Sequence, residues 1–382
     1  MNRFPAVALI CGLTVLLPRA PSAQTQPPPA EDQAPLLFRS QVIFDQQFMG
    51  MEVFRMLVPK DWVFNGGITW NFNKYPPEPY TNFTVTSPDG NSVIESFAHL
   101  NMFWSPDPML QSSYAQSGYS IMQPMSAGDF LQRLFIPQAR QGLGDIKVLE
   151  TQQLPELARH ALGIANLTLN LFGQISPFKF PYQTNADSAR VKVEYTRGGR
   201  KVIEDFTATV NYMIIPTPTM SGAYVQAVTW NPTVFSFRAP AEEMPRQVRL
   251  FQISIYSRYD NPVFNVSFTR LCALITRENL RQQQAIFARY RQIRQTLQET
   301  DDIIWETYKN RSAAQDRMFE NYSQALRGVD TYVDPVNNWN VELPTGYSNA
   351  WTNGTDYVFS ENPSFNPNTV LSGDWRQMGR KR

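Results

Sequence analysis

The chain has 382 residues, of which 42% are apolar and 13% aromatic, and its formal net charge is +1. A chain of this length and composition can bury a sizeable core in about two domains, which excludes disorder along its whole length. The near-neutral charge argues against a general nucleic-acid-binding protein. The sequence alone identifies neither a ligand nor a reaction.

Residues 1–23 are predicted to form a secretory signal peptide. Arg3 supplies the positive end, residues 6–17 the apolar stretch, and residues 20–23 a small-residue cleavage region. Residues 24–37 follow as a proline-rich linker. Because the apolar stretch is too short to span a bilayer, we expect an exported, periplasmic or extracellular protein without a transmembrane span in the mature chain. The alternative interpretation is a buried amino-terminal helix.

Cleavage of that peptide would change both the charge and the cysteine content. Loss of Arg3 and Arg19 with no acid lowers the net charge from +1 to −1. Cys272 would then be the one cysteine of the mature chain, so we expect no internal disulfide. It lies in the apolar run of residues 268–275, which predicts a buried small residue rather than a reactive thiol.

Residues 48–104 carry the clearest strand pattern of the chain. Apolar positions such as Val53, Met56 and Val58 alternate with turn residues, which predicts short strands of one sheet. The sequence Ser87-Pro88-Asp89-Gly90 is typical of a hairpin turn, because proline presets φ and glycine accepts the left-handed region.

A family resemblance is carried by this stretch. The run ending in Val58-Pro59-Lys60-Asp61-Trp62, the Gly66-Gly67 bend and the later hairpin resemble the α/β/α sandwich of the PsbP-type proteins. That group includes the extrinsic photosystem subunit, nuclear-transport relatives and uncharacterised bacterial secreted proteins. The resemblance covers residues 38–110 and extends loosely to residue 272. It implies a non-enzymatic binding or assembly fold and carries over no metal ligand or catalytic residue.

Two helices and a strand meander are predicted next. One helix begins after Ser126 and ends or kinks at Pro137, and the second begins at Pro155. From residue 189 onward apolar and polar residues alternate, with a hairpin turn at Gly198-Gly199. Further strands are predicted over residues 224–230, 234–237, 249–256 and 263–271. The expected result is one twisted antiparallel sheet with a polar face and both helices on the other face.

The predicted fold class is α+β, with twisted antiparallel sheets covered by helices in a PsbP-like sandwich over residues 38–275. Residues 276–328 are predicted to form a long helix, continuous or broken once, because they lack proline and have glycine only at the end. Its apolar stripe fades, so docking on the sheet is favoured over a free coiled coil. Residues 329–382 are predicted to be an aromatic tail of small hairpins, with a tight turn at Asn353-Gly354.

Motifs for metal binding and nucleophilic catalysis are missing from the sequence. His99 and His160 are its two histidines, and both are interpreted as structural. Adjacent acids such as Glu204-Asp205 point to opposite faces of a strand, so they are interpreted as solvated surface pairs. No cofactor, metal ligand or catalytic residue is predicted.

One candidate binding feature is a cluster of arginines in the predicted long helix. Arg277, Arg281 and Arg291 fall on about one helix face. Such a face suits an anionic lipid, a polysaccharide or an acidic partner. Binding to an anionic lipid would bring the protein into peripheral contact with a membrane. The alternative is a solvated face balanced by nearby acids.

The other candidate feature is aromatic. It combines an aromatic, proline-stiffened loop with the tryptophan-rich tail, namely Trp70, Tyr75, Tyr80, Trp339 and Trp351. Exposed tryptophan and tyrosine are common anchors for sugars and proteins. The alternative is burial of these rings in hairpin cores.

These observations favour a non-catalytic binding or scaffolding protein of the bacterial envelope, whose partner is an unknown protein or an envelope polymer and not a nucleic acid. The alternative is a hydrolase that acts on an envelope polymer through a carboxylate pair. Two carboxyls, or a histidine with an acid, lining one concave pocket would favour the hydrolase.

Overall fold

The computed structural model describes residues 35–72, 74, 77–175, 181–218, 224–277 and 328–381. The predicted signal peptide, most of the linker and residues 278–327 of the predicted long helix lie outside the described residues. The same is true of three candidate binding residues, Tyr75, Arg281 and Arg291.

The described chain combines many strands with a few helices. The strands are β1 (Leu36–Phe44), β2 (Glu52–Pro59), β3 (Val63–Asn71), β4 (Glu78–Thr86), β5 (Val93–Ser96), β6 (Met102–Trp104), β7 (Ser120–Ile121), β8 (Lys147–Gln153), β9 (Gln183–Arg197), β10 (Arg200–Pro218), β11 (Tyr224–Pro240), β12 (Tyr259–Asp260), β13 (Val329–Val333), β14 (Asn340–Pro344), β15 (Asn349–Thr352), β16 (Asp356–Ser360), β17 (Arg376–Gln377) and β18 (Gly379–Arg380). The helices are α1 (Pro108–Gln116), α2 (Ala127–Asp129), α3 (Ile136–Ala139), α4 (Pro155–Ile175), α5 (Met244–Tyr256) and α6 (Pro262–Arg277). A π-helical turn, Phe130–Phe135, joins α2 to α3, and a short 3₁₀ turn spans Pro367–Thr369.

These strands form three sheets within the described residues. The largest has the order β3-β4-β5-β11-β10-β9-β8, with β6 beside β11 and β7 beside β6. A six-stranded sheet has the order β12-β2-β1-β16-β15-β17, and a three-stranded sheet the order β14-β13-β18. Nearly all pairings are antiparallel, β6 with β7 being parallel. The mixed, mainly antiparallel fold class is therefore confirmed at this coarse level.

The prediction of one sheet over residues 48–104 is wrong. Strand β2 pairs with β1 and β12 in the six-stranded sheet, whereas β3, β4 and β5 belong to the nine-stranded sheet. Both sheets present apolar residues to a shared core that contains Val53, Phe54 and Phe83, so the sequence pattern is alike in the two sheets. The turns predicted at residues 87–90 and at Gly198-Gly199 are confirmed, because they join the pairs β4–β5 and β9–β10.

Two segments predicted as strands, residues 249–256 and 263–271, are helical. Helix α5 packs against β2, β11 and β14, so Phe251, Ile253 and Ile255 are all buried although they alternate along the sequence. Burial around most of the helix circumference produces this strand-like pattern. Helix α6 begins with an Asn261 cap followed by Pro262, and the carboxamide oxygen of Asn261 accepts from the Val263 amide at 3.0 Å.

The two predicted helices lie on opposite faces of the nine-stranded sheet and not on the same one. Phe130 and Leu131, from the π-helical turn, pack on Val191 and Phe206, whereas Leu157 of α4 packs in the core on the other face. The first helix also continues past Pro137 to Ala139. Helices therefore cover both faces, and the expected solvated polar face is absent from the described middle of the sheet.

The aromatic tail shares a sheet with the beginning of the described chain. Strand β16 pairs with β1, with Leu36 opposite Phe359 and Phe38 opposite Tyr357. The tight turn at Asn353-Gly354 joins β15 to β16, as predicted. Strand β14, in contrast, pairs with β13 rather than with β15. The tail therefore builds a third core, which includes Phe38 and Ile253 from outside it.

Candidate functional site

A buried glutamate, Glu78, is the centre of the densest polar cluster near the predicted aromatic loop. It lies at the start of β4 and is fully buried. Its Oε1 is 2.5 Å from Nε2 of His99, and its Oε2 accepts from Asn101 Nδ2 at 2.7 Å and from the Tyr80 hydroxyl at 3.1 Å. The ammonium of Lys74 also donates to Oε2. All four donors converge on one carboxylate that has no access to solvent.

Charges and burial shift the pKa values of several side chains in this cluster. Burial alone would raise the pKa of Glu78, but His99 and Lys74, by charge and by hydrogen bonds, lower it below its ordinary value of 4.5. Burial lowers the pKa of Lys74, an effect that Glu78 opposes. Burial and then the Glu78 charge raise the pKa of Tyr80 to about 12, so its hydroxyl remains a donor. Glu78 and Lys74 therefore form a buried ion pair.

The ring of His99 is fixed by this arrangement. An ionised carboxylate only accepts hydrogen bonds, so the imidazole ring donates to Glu78 from Nε2. The ring stacks on Tyr80, with 4.6 Å between centroids and 10° between planes. Asn231 Nδ2 donates to Oδ1 of Asn101 at 2.5 Å and extends the network to β11. A carboxylate that orients a histidine is a feature of catalytic and binding sites alike.

His99 also lines a small cavity of about 70 Å³ between the two large sheets and the start of α6. Its side chain retains 15% of its exposure. The polar members of the lining are Thr81, Ser96, His99, Thr233, Arg258, Asp260 and Asn265, and the remainder are apolar. Arg258 Nε and Nη2 both donate to Oδ1 of Asp260, at 3.1 and 2.9 Å. This volume has room for about two water molecules, at roughly 30 Å³ each.

The presence of His99 and Asp260 in one cavity is the arrangement that favours the hydrolase alternative. Three observations oppose it. Arg258 neutralises Asp260, the cavity is too small for a polymer, and among the described residues the His99 ring bonds to Glu78 rather than to a hydroxyl or thiol nucleophile. His160 is on α4, away from this cavity.

Trp70 and Tyr80 lie on strands and not in the predicted loop. Trp70, on β3, is buried and packs against Phe48 at 5.0 Å and Phe268 at 5.7 Å between ring centroids. Tyr80, on β4, is half-buried in the Glu78 cluster. The structure therefore connects Tyr80 to the polar network and packs Trp70 in the core.

The tail tryptophans have different surroundings. Trp339 is buried, and its indole nitrogen donates to Asp334 Oδ2 and to the Tyr357 hydroxyl, both at 3.0 Å. Trp351, on β15, stays half-buried and lies opposite Gln377 of β17. Of these two rings, Trp351 is the one nearer to solvent.

An open groove of about 700 Å³ lies where the tail sheets meet. Its floor is made of buried side chains, Tyr332, Tyr347, Ala350 and Met378. Its rim is made of residues with polar groups, Asp330, Thr345, Gly346, Ser348, Gln377, Gly379 and Arg380. The two rim charges neutralise each other, because Arg380 bonds to Asp330. The result is an uncharged groove with an aromatic floor and a hydrogen-bonding rim.

The groove is bounded on one side by the last described residues of the chain. Residues 376–381 pair with both tail sheets in turn, Gln377 with Trp351 and then Arg380 with Tyr332. Between these two pairings, the Met378 amide donates to the Ala350 carbonyl at 2.8 Å. This carboxy-terminal segment therefore holds the six-stranded and three-stranded sheets together.

A second buried acid was predicted to be solvated. Glu204 is fully buried and accepts from Arg140 Nη2 at 2.6 Å and from the Tyr195 hydroxyl at 2.7 Å. Arg140 also bonds to Glu95 at 2.7 Å. Burial alone would raise the pKa of Glu204, but the hydrogen bond and charge of Arg140 lower it. Its neighbour Asp205 is on the opposite face and is also largely buried.

The other features considered in the sequence were an arginine face, metal ligands, a membrane span and the cysteine. Arg277 is the last residue of α6, and its side chain is not among those described. Within the described residues, no group of three or more histidine, cysteine, aspartate or glutamate side chains is placed to hold a metal ion. No described helix has both the length and the apolar character to cross a membrane. Cys272 is buried, and burial raises the pKa of its thiol.

No protein-family model matches this chain, and the comparison with curated proteins found no match. Among solved structures, the solution structure of cyanobacterial PsbP (CyanoP) from Synechocystis sp. PCC 6803 matches 58% of this chain and 93% of its own length. The two are 9% identical, with a TM-score of 0.27. This is a weak structural resemblance, and it assigns neither a family, a site nor an activity to the chain.

Proposed function

We propose that the protein is an exported, non-catalytic binding protein that holds a segment of an envelope polysaccharide in the groove between its tail sheets. The observation that carries this proposal is the groove itself, with its buried aromatic floor and neutral polar rim. A volume of about 700 Å³ is within the range of roughly 300–1,000 Å³ that is usual for ligand sites.

The chemistry of the rim selects the polymer. Thr345, Ser348 and Gln377 offer hydroxyl and amide groups that both donate and accept hydrogen bonds. Since Asp330 and Arg380 neutralise each other, the groove has no net charge to attract a strongly charged chain. A neutral polysaccharide presents both apolar sugar-ring faces and hydroxyl groups. It therefore matches a groove with an apolar floor and a hydrogen-bonding rim.

The sequence of residues 1–23 supports export. Its positive end, apolar stretch and small-residue cleavage region are those of a secretory signal peptide. Expression of the full-length chain in a bacterial host, followed by fractionation and amino-terminal sequencing, tests this point. We expect the periplasmic or secreted form to begin after Ser22 or Ala23, and a cytoplasmic product that retains Met1 would contradict export.

Binding can be tested with short, uncharged oligosaccharides of N-acetylglucosamine as the probe, called the fragments below. We expect saturable binding of the fragments by the protein, measured by calorimetry. Ser348→Trp places a large side chain on the exposed rim and is expected to weaken binding at least tenfold. Ser364→Trp is the matched control, because Ser364 is an exposed serine of the tail that does not line the groove.

The outcomes separate the possible partners. Loss of fragment binding in Ser348→Trp but not in Ser364→Trp supports the polysaccharide groove. Equal binding by both variants would place the polymer elsewhere. Capture of an envelope protein that survives in both variants, with no fragment binding, would replace the polymer by a protein partner.

One observation favours the alternative function, a hydrolase. His99 is oriented by a buried acid and lines the same cavity as Asp260. Incubation of the same fragments with the wild-type protein, analysed by chromatography, tests it directly. We expect the fragments to emerge unchanged, and turnover that disappears in His99→Gln would establish the hydrolase.

A further inference from the structure

We propose that Lys74 and Asn101 become joined by an intramolecular isopeptide bond, formed in the folded chain with Glu78 as the proton carrier and ammonia as the leaving group. This modification site is separate from the tail groove and does not depend on the function proposed for the groove. The bond would link the connection between β3 and β4, which contains Lys74, to the residue that precedes β6.

The nucleophile and the group that it would attack meet at one oxygen atom of Glu78. Its Oε2 accepts from the ammonium of Lys74 and, at 2.7 Å, from Nδ2 of Asn101. Two groups that bond to the same oxygen are neighbours, so the Lys74 nitrogen lies beside the amide that it would attack. Holding the reacting groups together in this way makes the reaction intramolecular and removes most of its entropic cost.

The side-chain amide of Asn101 is polarised at both ends. Nδ2 of Asn231 donates to its Oδ1 at 2.5 Å. A donor at this oxygen stabilises the negative charge that develops there when an amine adds to the amide carbon Cγ. At the other end, Nδ2 of Asn101 faces Glu78, which can supply the proton that a leaving nitrogen needs.

Burial favours the amine form of Lys74, which is the form that can act as a nucleophile. The side chains of Lys74 and Glu78 are 1% and 0% exposed, and Asn101 is also buried. The ring of Tyr119 lies over the Lys74 nitrogen, 4.6 Å from it. Burial lowers the pKa of Lys74, although Glu78 opposes this effect, so a proton shared with Glu78 is more easily given up than in water. The same burial keeps competing water molecules away from the amide.

The reaction balances in atoms and charge. Lys74 gives one proton to Glu78 and attacks Cγ of Asn101 as an amine. Glu78 passes that proton to Nδ2 and takes a second proton from the Lys74 nitrogen, so the bond between Cγ and Nδ2 breaks and ammonia leaves. The products are one amide, one ammonia molecule and an uncharged Glu78, so no unpaired charge stays buried. The ion pair and the pKa values described above belong to the chain before this reaction.

The experiment is mass spectrometry of the full-length mature protein after incubation at pH 7 and digestion with a protease that cleaves before aspartate. Peptides 61–88 and 89–106 should be recovered as one joined species, lighter than their sum by one ammonia molecule. The mass of the joined peptides is the readout because an amino-terminal Gln24 and the Asn353-Gly354 turn can also lose ammonia. Recovery of the two peptides as separate, unmodified species would overturn the proposal.

Substitutions test the roles of the individual side chains. Glu78→Gln keeps the size of the side chain but cannot carry the proton, and Lys74→Arg keeps a cation whose guanidinium stays protonated, so both should yield separate peptides. Lys60→Arg is the matched control, because Lys60 pairs with Asp356 at the surface, and it should yield the joined species. Thermal unfolding confirms that each variant is folded. A joined species that is as abundant in folded Glu78→Gln as in the wild type would contradict the role of Glu78.

Discussion

The carboxylate of Glu78 and the imidazole of His99 approach to 2.5 Å, although 21 residues separate them in the sequence. Strand β4 supplies the acid, and the segment between β5 and β6 supplies the histidine. The acid is fully buried and the histidine lines a cavity, so the pair connects the buried polar network to that cavity.

Substitution of the buried cation tests the Glu78 network. Lys74→Met leaves Glu78 without its ammonium partner in a solvent-free site, which should lower the free energy of unfolding by about 3–5 kcal/mol. Urea unfolding at pH 7 measures it. Lys60→Met is the matched control, because Lys60 forms an exposed pair with Asp356 at 2.7 Å and should change the free energy by about 1 kcal/mol or less. Equal effects of the two substitutions would contradict the buried pair.

The two buried glutamates, Glu78 and Glu204, should make stability depend on pH. The folded-state pKa values of Glu78 and Glu204 are lowered, so their stabilising contribution is complete above about pH 4.5 and is lost as the pH falls through the folded values. Arg140→Met removes the main cause of the shift at Glu204 and should lower the free energy of unfolding by about 3–5 kcal/mol at pH 7. The loss should become smaller below pH 4.

Denaturant unfolding between pH 3 and pH 7 measures that trend. Arg133→Met serves as the control, because Arg133 pairs with Asp129 on an exposed helix surface and should stay within about 0.5 kcal/mol of the wild type. A loss in Arg140→Met that is constant from pH 3 to pH 7 would show that Arg140 acts by packing and not by its charge.

For Asp205 we expect the opposite pH dependence of stability, because its ionisation destabilises the fold. Burial raises its pKa, an effect that Arg190 at 3.9 Å only partly offsets, so ionisation of Asp205 costs stability above about pH 3.8. Asp205→Asn should therefore unfold at a higher urea concentration than the wild type at pH 7 and at the same concentration at pH 3. Destabilisation at both pH values would mean that the Asp205 carboxyl group stabilises the fold, which would contradict this prediction.

The tail is expected to be essential for folding. Removal of residues 329–382 would leave β1 without its partner β16 and would expose Phe38 and Leu57, which the tail covers. We expect an aggregated product with no cooperative thermal transition, whereas a chain that ends at residue 381 should unfold like the wild type. A soluble monomer with cooperative unfolding after the larger deletion would contradict this dependence. Point substitutions in the groove are therefore better binding controls than tail deletion.

Local chemistry made several features predictable. The turns at residues 87–90, at Gly198-Gly199 and at Asn353-Gly354 depend on residues that favour turn conformations, and all three join paired strands. The start of α4 at Pro155 was likewise predictable from its first turn. Each of these signals is contained in a few neighbouring residues.

Features that depend on distant contacts were not predictable. Helix α5 is buried by three sheets, and its sequence therefore resembles a strand. The Glu78 cluster joins five side chains from two segments, residues 74–80 and 99–101, and a lysine and a glutamate near prolines gave no sign that both would be buried. Glu204 was predicted to be solvated, and its burial could not be foreseen because its partner Arg140 is 64 residues away in the sequence. The predicted binding roles of Arg281, Arg291 and Tyr75 concern residues outside the described part of the chain and stay predictions.

The most direct test of the binding function is one titration of the mature protein with the uncharged oligosaccharide fragments, in which binding and fragment integrity are followed in the same sample. We predict saturable binding that Ser348→Trp weakens at least tenfold and that Ser364→Trp leaves unchanged, with every fragment recovered intact. Fragments that are cleaved by the wild type and not by His99→Gln, or fragments that bind equally well to Ser348→Trp, would contradict it.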